Sequence, residues 1–267
     1  MKKKENIGIV IFCVWMALVV GAAVFAPLFA PNDPNATNLS AVQQGASAQY
    51  PLGTDMLGRC MLSRVLYGAR VSVLTGLGVT LTVFAAGVAA GTLCGYCGGV
   101  VDAVLNKIIT MMQAFPKIIL AIAIVGVLGI GIRNTVLALI LVLWVDYARL
   151  SRSLASSVRN RTFIRAARVC GESEFHILFF RVLPNILGPL AVQASLGIAS
   201  TMMEVAALSY LGLGVAEPTA EWGAMINSGR AYIQTDPKLV LIPGTAIFLT
   251  AAVFHLFGEK LRDRPQS

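Results

Sequence analysis

Phe163, Ala166, Ala167 and Cys170 recur at i, i+3, i+4 and i+7, the spacing of one face of an α-helix. Arg161, Arg165 and Arg168 take the other faces. Gly171 then breaks the helix, and Glu172 and Glu174 open the next turn, where acidic residues suit a helix N-terminus. Phe175, Leu178, Phe179 and Val182 make a second apolar stripe, which Leu183-Pro184 ends. The chemistry on offer is recognition rather than bond-making. Two short helices about a glycine corner, with an apolar tip and basic flanks, form a docking surface. A loop that merely carried positive charge would need neither the corner nor the aromatic stripe.

Residues for bond-making are scarce. No HExxH, no GxSxG and no paired intramembrane aspartates occur. The two histidines, His176 and His255, lie apart and beside no other strong metal ligand, so no metal site is expected. A phosphate-cradling P-loop needs Gly-Lys. The lysines beyond Lys4 are Lys107, Lys117, Lys238 and Lys260, preceded by Asn, Pro, Pro and Glu, so the chain carries no P-loop with which to hydrolyse ATP itself. Cys94 and Cys97 form a CxxC beside Gly95, Gly98 and Gly99, which reads as small-residue packing. Cys60 has no evident partner.

The elements that position the docking surface cross a membrane. Of 267 residues 57% are hydrophobic and only 13% charged, against about a quarter charged in a soluble domain. Residues 6–32, 71–101, 118–132, 134–145, 182–203 and 239–258 contain no Asp, Glu, Lys or Arg. A helix needs about 20 apolar residues to cross a core of about 30 Å. The expected fold is therefore all-α and polytopic, with six spans near 7–29, 71–96, 103–128, 134–151, 185–212 and 239–258. Lys107 and Lys117 interrupt the third, and Asp146 sits in the fourth. The apolar stretch after Lys2-Lys3-Lys4 is too long for a signal-peptide core and is read as a retained span.

The net charge of +8 raises nucleic acid as a partner, but cytoplasmic loops of membrane proteins carry excess Lys and Arg. With the N-terminus inside, the cytoplasm receives Lys2, Lys3, Lys4, Lys107, the arginines from Arg149 to Arg181, Lys260, Arg262 and Arg264. The outside receives Arg59, Arg64, Arg70, Arg133, Arg230 and Lys238. Both termini and the arginine-rich segment are thus expected in the cytoplasm, and nucleic acid is set aside. The resulting division is a cytoplasmic N-terminus 1–6, a first transmembrane helix 7–29 and an external segment 30–70 with a short interfacial helix. A five-helix core 71–260 follows, with a cytoplasmic loop 152–184, an external loop 213–238 and a tail 261–267.

Inside the membrane, Pro116 invites a kink and Lys117 follows it. Counted from residue 103, Lys117 lies about 20 Å in at 1.5 Å per residue. It is a pathway candidate unless it snorkels to the cytoplasmic surface. Glu204, beside Met203, is the other internal charge and the expected partner of Lys117. Met111, Met112, Met202, Met203 and Met225 read as gap-fillers before metal ligands. Outside, Trp222 and Tyr232 read as interfacial anchors, and a short helix is expected over 223–233.

At this point the residues resemble a family. Arg165-Ala166-Ala167, then Gly171, then Leu183-Pro184 looks like the EAA loop of prokaryotic ABC-importer permeases, with Arg165 where the family has Glu. Pro51-Leu-Gly-Thr-Asp55-x-x-Gly58-Arg59, Ser63-Arg64, Ala114-Phe115-Pro116, Tyr147-Ala148-Arg149, Leu208 to Gly214 and Glu221-Trp222-Gly223 resemble the dipeptide/oligopeptide/nickel branch, in its C-type permease.

The resemblance implies a MetI-like permease fold in the prokaryotic cytoplasmic membrane, half of a translocation pathway completed by a homologous second permease. It implies two ATPase subunits that hold ATP and Mg, and an extracytoplasmic substrate-binding protein. Phe163, Arg165, Ala166, Ala167, Gly171, Glu172, Phe175, Leu183 and Pro184 would couple to the ATPase. Pro116, Lys117, Met203 and Glu204 would line the pathway. Asp55, Arg59, Arg64, Glu221 and Trp222 would form the external gate or binding-protein contact. The chain itself would be no enzyme and bind no cofactor. A passive channel leaves the docking segment unexplained, and an intramembrane enzyme lacks a catalytic set. The run Pro218–Asn227 looks closer to nickel permeases, whereas a buried Lys117 suits anionic cargo, so peptide, nickel and metal–chelate cargo all stay open.

Overall fold

The computed structural model describes residues 14–262. Lys2, Lys3, Lys4, the expected N-terminus 1–6, the start of the span at 7–29, and residues 263–267 of the tail lie outside the described residues. Among the described residues every named element is helical, and one isolated β-bridge joins Thr54 and Cys60.

The order is α1 (Val14–Val24), α2 (Met61–Cys97), α3 (Gly99–Gln113), α4 (Lys117–Leu128), α5 (Ile132–Arg159), α6 (Thr162–Val169), α7 (Glu174–Tyr210), α8 (Trp222–Gly229) and α9 (Lys238–Arg262). Among the described residues α2, α5, α7 and α9 are long and apolar enough to cross a membrane, and α3 with α4 makes a fifth if taken as one broken span. Of the first expected span, α1 is the described part, followed by a turn at Ala26–Phe29.

Three expectations change. The interfacial helix before the second span is not separate, because no Pro or positive-φ Gly interrupts Met61–Cys97. At 1.5 Å per residue α2 is about 55 Å long, well beyond the thickness of a hydrocarbon core of about 30 Å. The third span is not one kinked helix: α3 and α4 meet at 89° around Ala114-Phe115-Pro116. Pro116 caps α4 with φ −58°, and it has no N–H with which to continue α3. Finally, Leu183-Pro184 does not end the second docking helix. α7 runs through it by way of a wide π-type turn over Ile177–Val182. The wide turn accommodates the missing donor and the ring of Pro184.

Three large apolar clusters follow one another along the bundle, with two smaller ones beside them. Trp222, Met61, Met225 and Leu239 fill the end beside α8, and Val79, Leu139, Val142 and Val205 the middle. Tyr96, Ala155, Ile164, Ile177 and Ile186 fill the end beside α6. α2 and α5 pack backbone to backbone. A Cβ at Gly87, Gly91 or Gly95 would collide with the carbonyls of Trp144, Ala148 and Arg152 respectively. Four-residue spacing on both helices shows a parallel pair in register, the close approach small residues allow in lipid.

Candidate functional site

The docking segment is a short helix braced against two spans. α6 turns Ile164 and Ala167 inward, where they are 0% and 7% exposed, and leaves Phe163, Ala166 and Cys170 outward. The expected four-residue stripe is therefore split. Ala167 belongs to the inner anchor with Ile164, and Phe163, Ala166 and Cys170 are the free face. The second stripe splits likewise, with Leu178 and Val182 buried and Phe175 and Phe179 exposed. The π-type turn rotates these pairs apart. Gly171 makes the expected corner with φ +81°, a conformation L side chains rarely adopt.

Charge pairs hold the corner. Arg168 donates from Nε to Glu174 at 2.8 Å and from Nη2 to the Tyr96 hydroxyl at 3.3 Å. Tyr96 also bonds Glu174, so the bracket ties α6 and α7 to the inner end of α2. The hydrogen bond to Glu174 raises the Arg168 pKa. Arg181 donates to Glu172 at 2.8 Å and holds that carboxyl below its usual range. Between the pairs lies an exposed aromatic group, with Phe175 and Phe179 4.5 Å apart and His176 stacked on Phe180 at 4.7 Å. Leu183 is half-buried and Pro184 exposed. Arg165 is exposed and makes no ion pair among the described residues. Ile164 and Tyr96 escaped the sequence reading, as did the pairing of Arg168 with Glu174. The only signal was opposite charge on either side of Gly171.

The membrane interior corrects one pairing. Lys117 is the first residue of α4 and bonds Asp146 of α5, not Glu204. Toward the docking segment along α5, Arg149 donates to Gln113 at 3.1 Å, and Arg152 donates to Asp102 at 2.8 Å. These contacts pin α3 across α5. Glu204 on α7 has a buried Oε2 without a hydrogen-bond partner among the described residues. Met203 is 57% exposed and lines a cavity between α7 and α9 with Ser200, Phe248 and His255. Pro116 stands at the break, so Pro116 and Lys117 come together while Met203 and Glu204 belong to another helix.

The expected external contact residues lie inside the fold. Asp55, Arg59, Arg64, Glu221 and Trp222 are 5%, 2%, 3%, 0% and 3% exposed, which leaves them no surface for direct contact with a partner. Asp55 accepts from Arg59 Nε at 2.6 Å, and Arg64 Nε lies 3.5 Å away. Arg59 reaches Glu217 at 3.3 and 3.4 Å. Arg64 donates to the carbonyls of Pro34 and Pro218 at 3.1 and 3.2 Å. Glu221 caps α8, accepting from Gly223 and Ala224 at 3.0 and 2.8 Å and from Ser72 at 2.8 Å. Trp222 packs on Gly68 and donates to the Val65 carbonyl at 2.9 Å, so it is a core residue and not an interfacial anchor. Tyr232 remains partly exposed. Burial would raise the Glu217 carboxyl, but hydrogen bonds from Arg59 and Ser228 hold it below the usual range.

Comparison with known proteins fits this geometry. The model of the family described as binding-protein-dependent transport system inner membrane component matches residues 87–264. The dipeptide transport system permease protein DppC of Haemophilus influenzae is 36% identical over 266 residues, covering 97% of this chain and 90% of that protein. The probable D,D-dipeptide transport system permease protein DdpC of Escherichia coli is 40% identical, over 93% of this chain and 83% of its own. The nickel transport system permease protein NikC of the same organism is 39% identical, over 93% and 90%. The inward-facing MetNI methionine ABC transporter contains a chain of similar fold, with TM-score 0.58 and 17% identity over 76% of this chain and 96% of its own.

Proposed function

The chain belongs to the binding-protein-dependent transport system inner membrane components, and from that premise we propose that its segment Thr162–Pro184 seats in a separate ATPase and drives a shared pathway. The family places the chain in the membrane as the permease subunit of an ABC importer, with ATP hydrolysed by separate subunits and cargo delivered by a binding protein. The finer partners are our reading. They are a homologous second permease that completes the pathway, two ATPases that hold ATP and Mg, and both termini in the cytoplasm.

The observation that carries the reading is the shape of the docking segment. Phe163, Phe175, Phe179 and Phe180 are exposed on a segment whose own anchors, Ile164, Ala167 and Ile177, are fully used. Clustered apolar surface rimmed by charge marks a protein contact. Closure of the ATPases would pull on α6, and the Arg168–Glu174–Tyr96 bracket would pass that pull to α2 and α7. The test is co-purification with the cognate ATPases and ATP-driven uptake in vesicles. Failure to associate with any ATPase would sink the reading.

For cargo we infer a short peptide. Lys117 and Asp146 form a half-exposed pair at the break between α3 and α4. An ammonium beside a carboxylate complements the two charged ends of a zwitterionic peptide, and intramembrane charges mark substrate pathways. Nickel or a metal–chelate is the second reading, favoured by the exposed Met203 and by the 39% identity to a nickel permease. Lys117→Glu should abolish uptake of a labelled dipeptide while ATPase association persists. Unchanged dipeptide uptake, or uptake of nickel alone, would decide against the peptide.

A further inference from the structure

α6 meets the bundle along one side only. At 3.6 residues per turn, Ile164 and Ala167 point into the core, and the opposite side carries Thr162, Arg165, Ala166 and Val169. Val169 is 89% exposed, the highest value of any large hydrophobic side chain among the described residues. A small apolar centre of Ala166 and Val169 therefore lies beside the Arg165 guanidinium.

The charges around this centre are unmatched. Residues 161–184 hold four arginines, Arg161, Arg165, Arg168 and Arg181, and two acids, Glu172 and Glu174. Both acids are taken, Glu174 by Arg168 and Glu172 by Arg181. Elsewhere toward this end, Asp102 is held by Arg152, and Glu259 lies beside His255. Arg161 and Arg165 are exposed, and their side chains make no ion pair or hydrogen bond among the described residues. They stand four residues apart, a spacing at which like charges repel on a helix. Arg161 also caps α6, whose first turn has no acidic residue. The positive end of the helix dipole adds to the same field and favours an anion. A planar guanidinium takes a carboxylate in a bidentate pair.

We propose that the ATPase groove receiving α6 is acidic, with carboxylates facing Arg161 and Arg165 and an apolar floor under Ala166 and Val169, and that this charge match selects the cognate ATPase. Such a match presupposes that Thr162–Pro184 docks in an ATPase, and it adds the sign and the place of that contact. The aromatic tip at Phe175 and Phe179 offers apolar area to any partner. Arg161 and Arg165 discriminate, because a groove that bears cations at the same place is repelled.

The experiment uses the full-length permease, assembled with its second permease in nanodiscs and titrated with the purified cognate ATPase. A photoreactive residue at Val169 should cross-link to the ATPase. Arg165→Glu should weaken ATPase binding about tenfold or more, since like charges meeting in an interface are strongly unfavourable. Arg161→Glu should act in the same direction, and Arg165→Lys should weaken binding less than Arg165→Glu. Raising salt from about 0.15 to 1 M shortens the Debye length from about 8 to 3 Å and should loosen the wild type more than Arg165→Gln. That comparison stands even if Arg165→Glu fails to assemble. Replacing the groove carboxylates of the ATPase by Lys, one at a time, should restore binding of Arg165→Glu at one position. Equal binding by wild type and Arg165→Glu would overturn the acidic groove and leave the docking intact. Absence of wild-type binding and of the Val169 cross-link would remove the docking itself, and the groove with it. An effect of Arg165→Glu that appears only with anionic phosphatidylglycerol in the nanodisc, and vanishes in neutral lipid, would assign the arginines to lipid phosphates and overturn the proposal.

Discussion

At one end of the bundle, Asp55, Arg59, Arg64 and Glu221 are enclosed and fully engaged, whereas at the end read as cytoplasmic, Arg165, Arg168, Glu174 and Arg181 stand at the surface. The same residue types serve opposite ends. The outer network ties segments distant in sequence: Arg59 and Glu217 are 158 residues apart, and Ser72 and Glu221 are 149 apart. It turns the stretch before α2 and the loop around α8 into one body. The inner pairs are short-range, six residues apart for Arg168–Glu174 and nine for Arg181–Glu172. They give a corner its outline and leave the apolar tip free. Buried charge here ties distant segments into a platform, and exposed charge frames an exposed apolar tip.

The contrast breaks most sharply at Asp55. Asp55→Ala would leave two enclosed guanidiniums without their carboxylate, and removing one partner of a buried pair costs about 3–5 kcal/mol. The expected result is a large fall in thermal midpoint and in the yield of folded protein from membranes. A midpoint equal to wild type would mean that the outer network is not a platform.

Phe175→Asp is the inner counterpart. Phe175 is 68% exposed, so stability should stay within about 0.5 kcal/mol. Uptake should nevertheless fall tenfold or more, a loss of about 1.4 kcal/mol in coupling. Normal uptake in a stable variant would remove the aromatic tip from the ATPase contact. Arg168→Met is expected to do less. An exposed pair contributes about 1 kcal/mol or below to stability, so the variant should fold, associate with the ATPase and hydrolyse more ATP per cargo imported. An unchanged ratio of hydrolysis to uptake would show that the bracket does not transmit the motion.

The two faces also differ in how far the residues alone reveal them. Charge-free runs report directly on bilayer thickness, so the long apolar helices α2, α5, α7 and α9 are legible. Gly171 is legible too, because the break in periodicity falls where positive φ is needed. The network outside is not, since acidic and basic residues in a loop look solvated until residues 158 apart meet. The partner of Lys117 is hidden for the same reason: Asp146 comes from another helix, and the 89° break at Pro116 changes the depth that counting along one helix assigns. The first stripe splits because α6 seats Ile164 beside Ala167 in the core, and the second because the π-type turn over Ile177–Val182 adds a residue per turn and shifts the positions after it out of simple 3.6 periodicity.

The smallest effect isolates the one member of the outer network that water reaches. Glu217 is 47% exposed at its side chain, and Arg59 and Ser228 hold its carboxyl below the usual range against the opposing effect of burial. A carboxyl lowered in the folded state stabilises fully above its ordinary value of about 4.3 and loses that contribution as pH falls through the lowered folded value. Solvent screening keeps the contribution small. Wild-type protein in nanodiscs should therefore lose thermal stability on acidification below about pH 4 more steeply than Glu217→Gln, which lacks the ionised partner at every pH. Above that range the variant should sit slightly lower, and the two curves should converge in acid. Curves that stay parallel would show that Glu217 adds nothing to the enclosed charges behind it, and would confine the platform to Asp55, Arg59, Arg64 and Glu221.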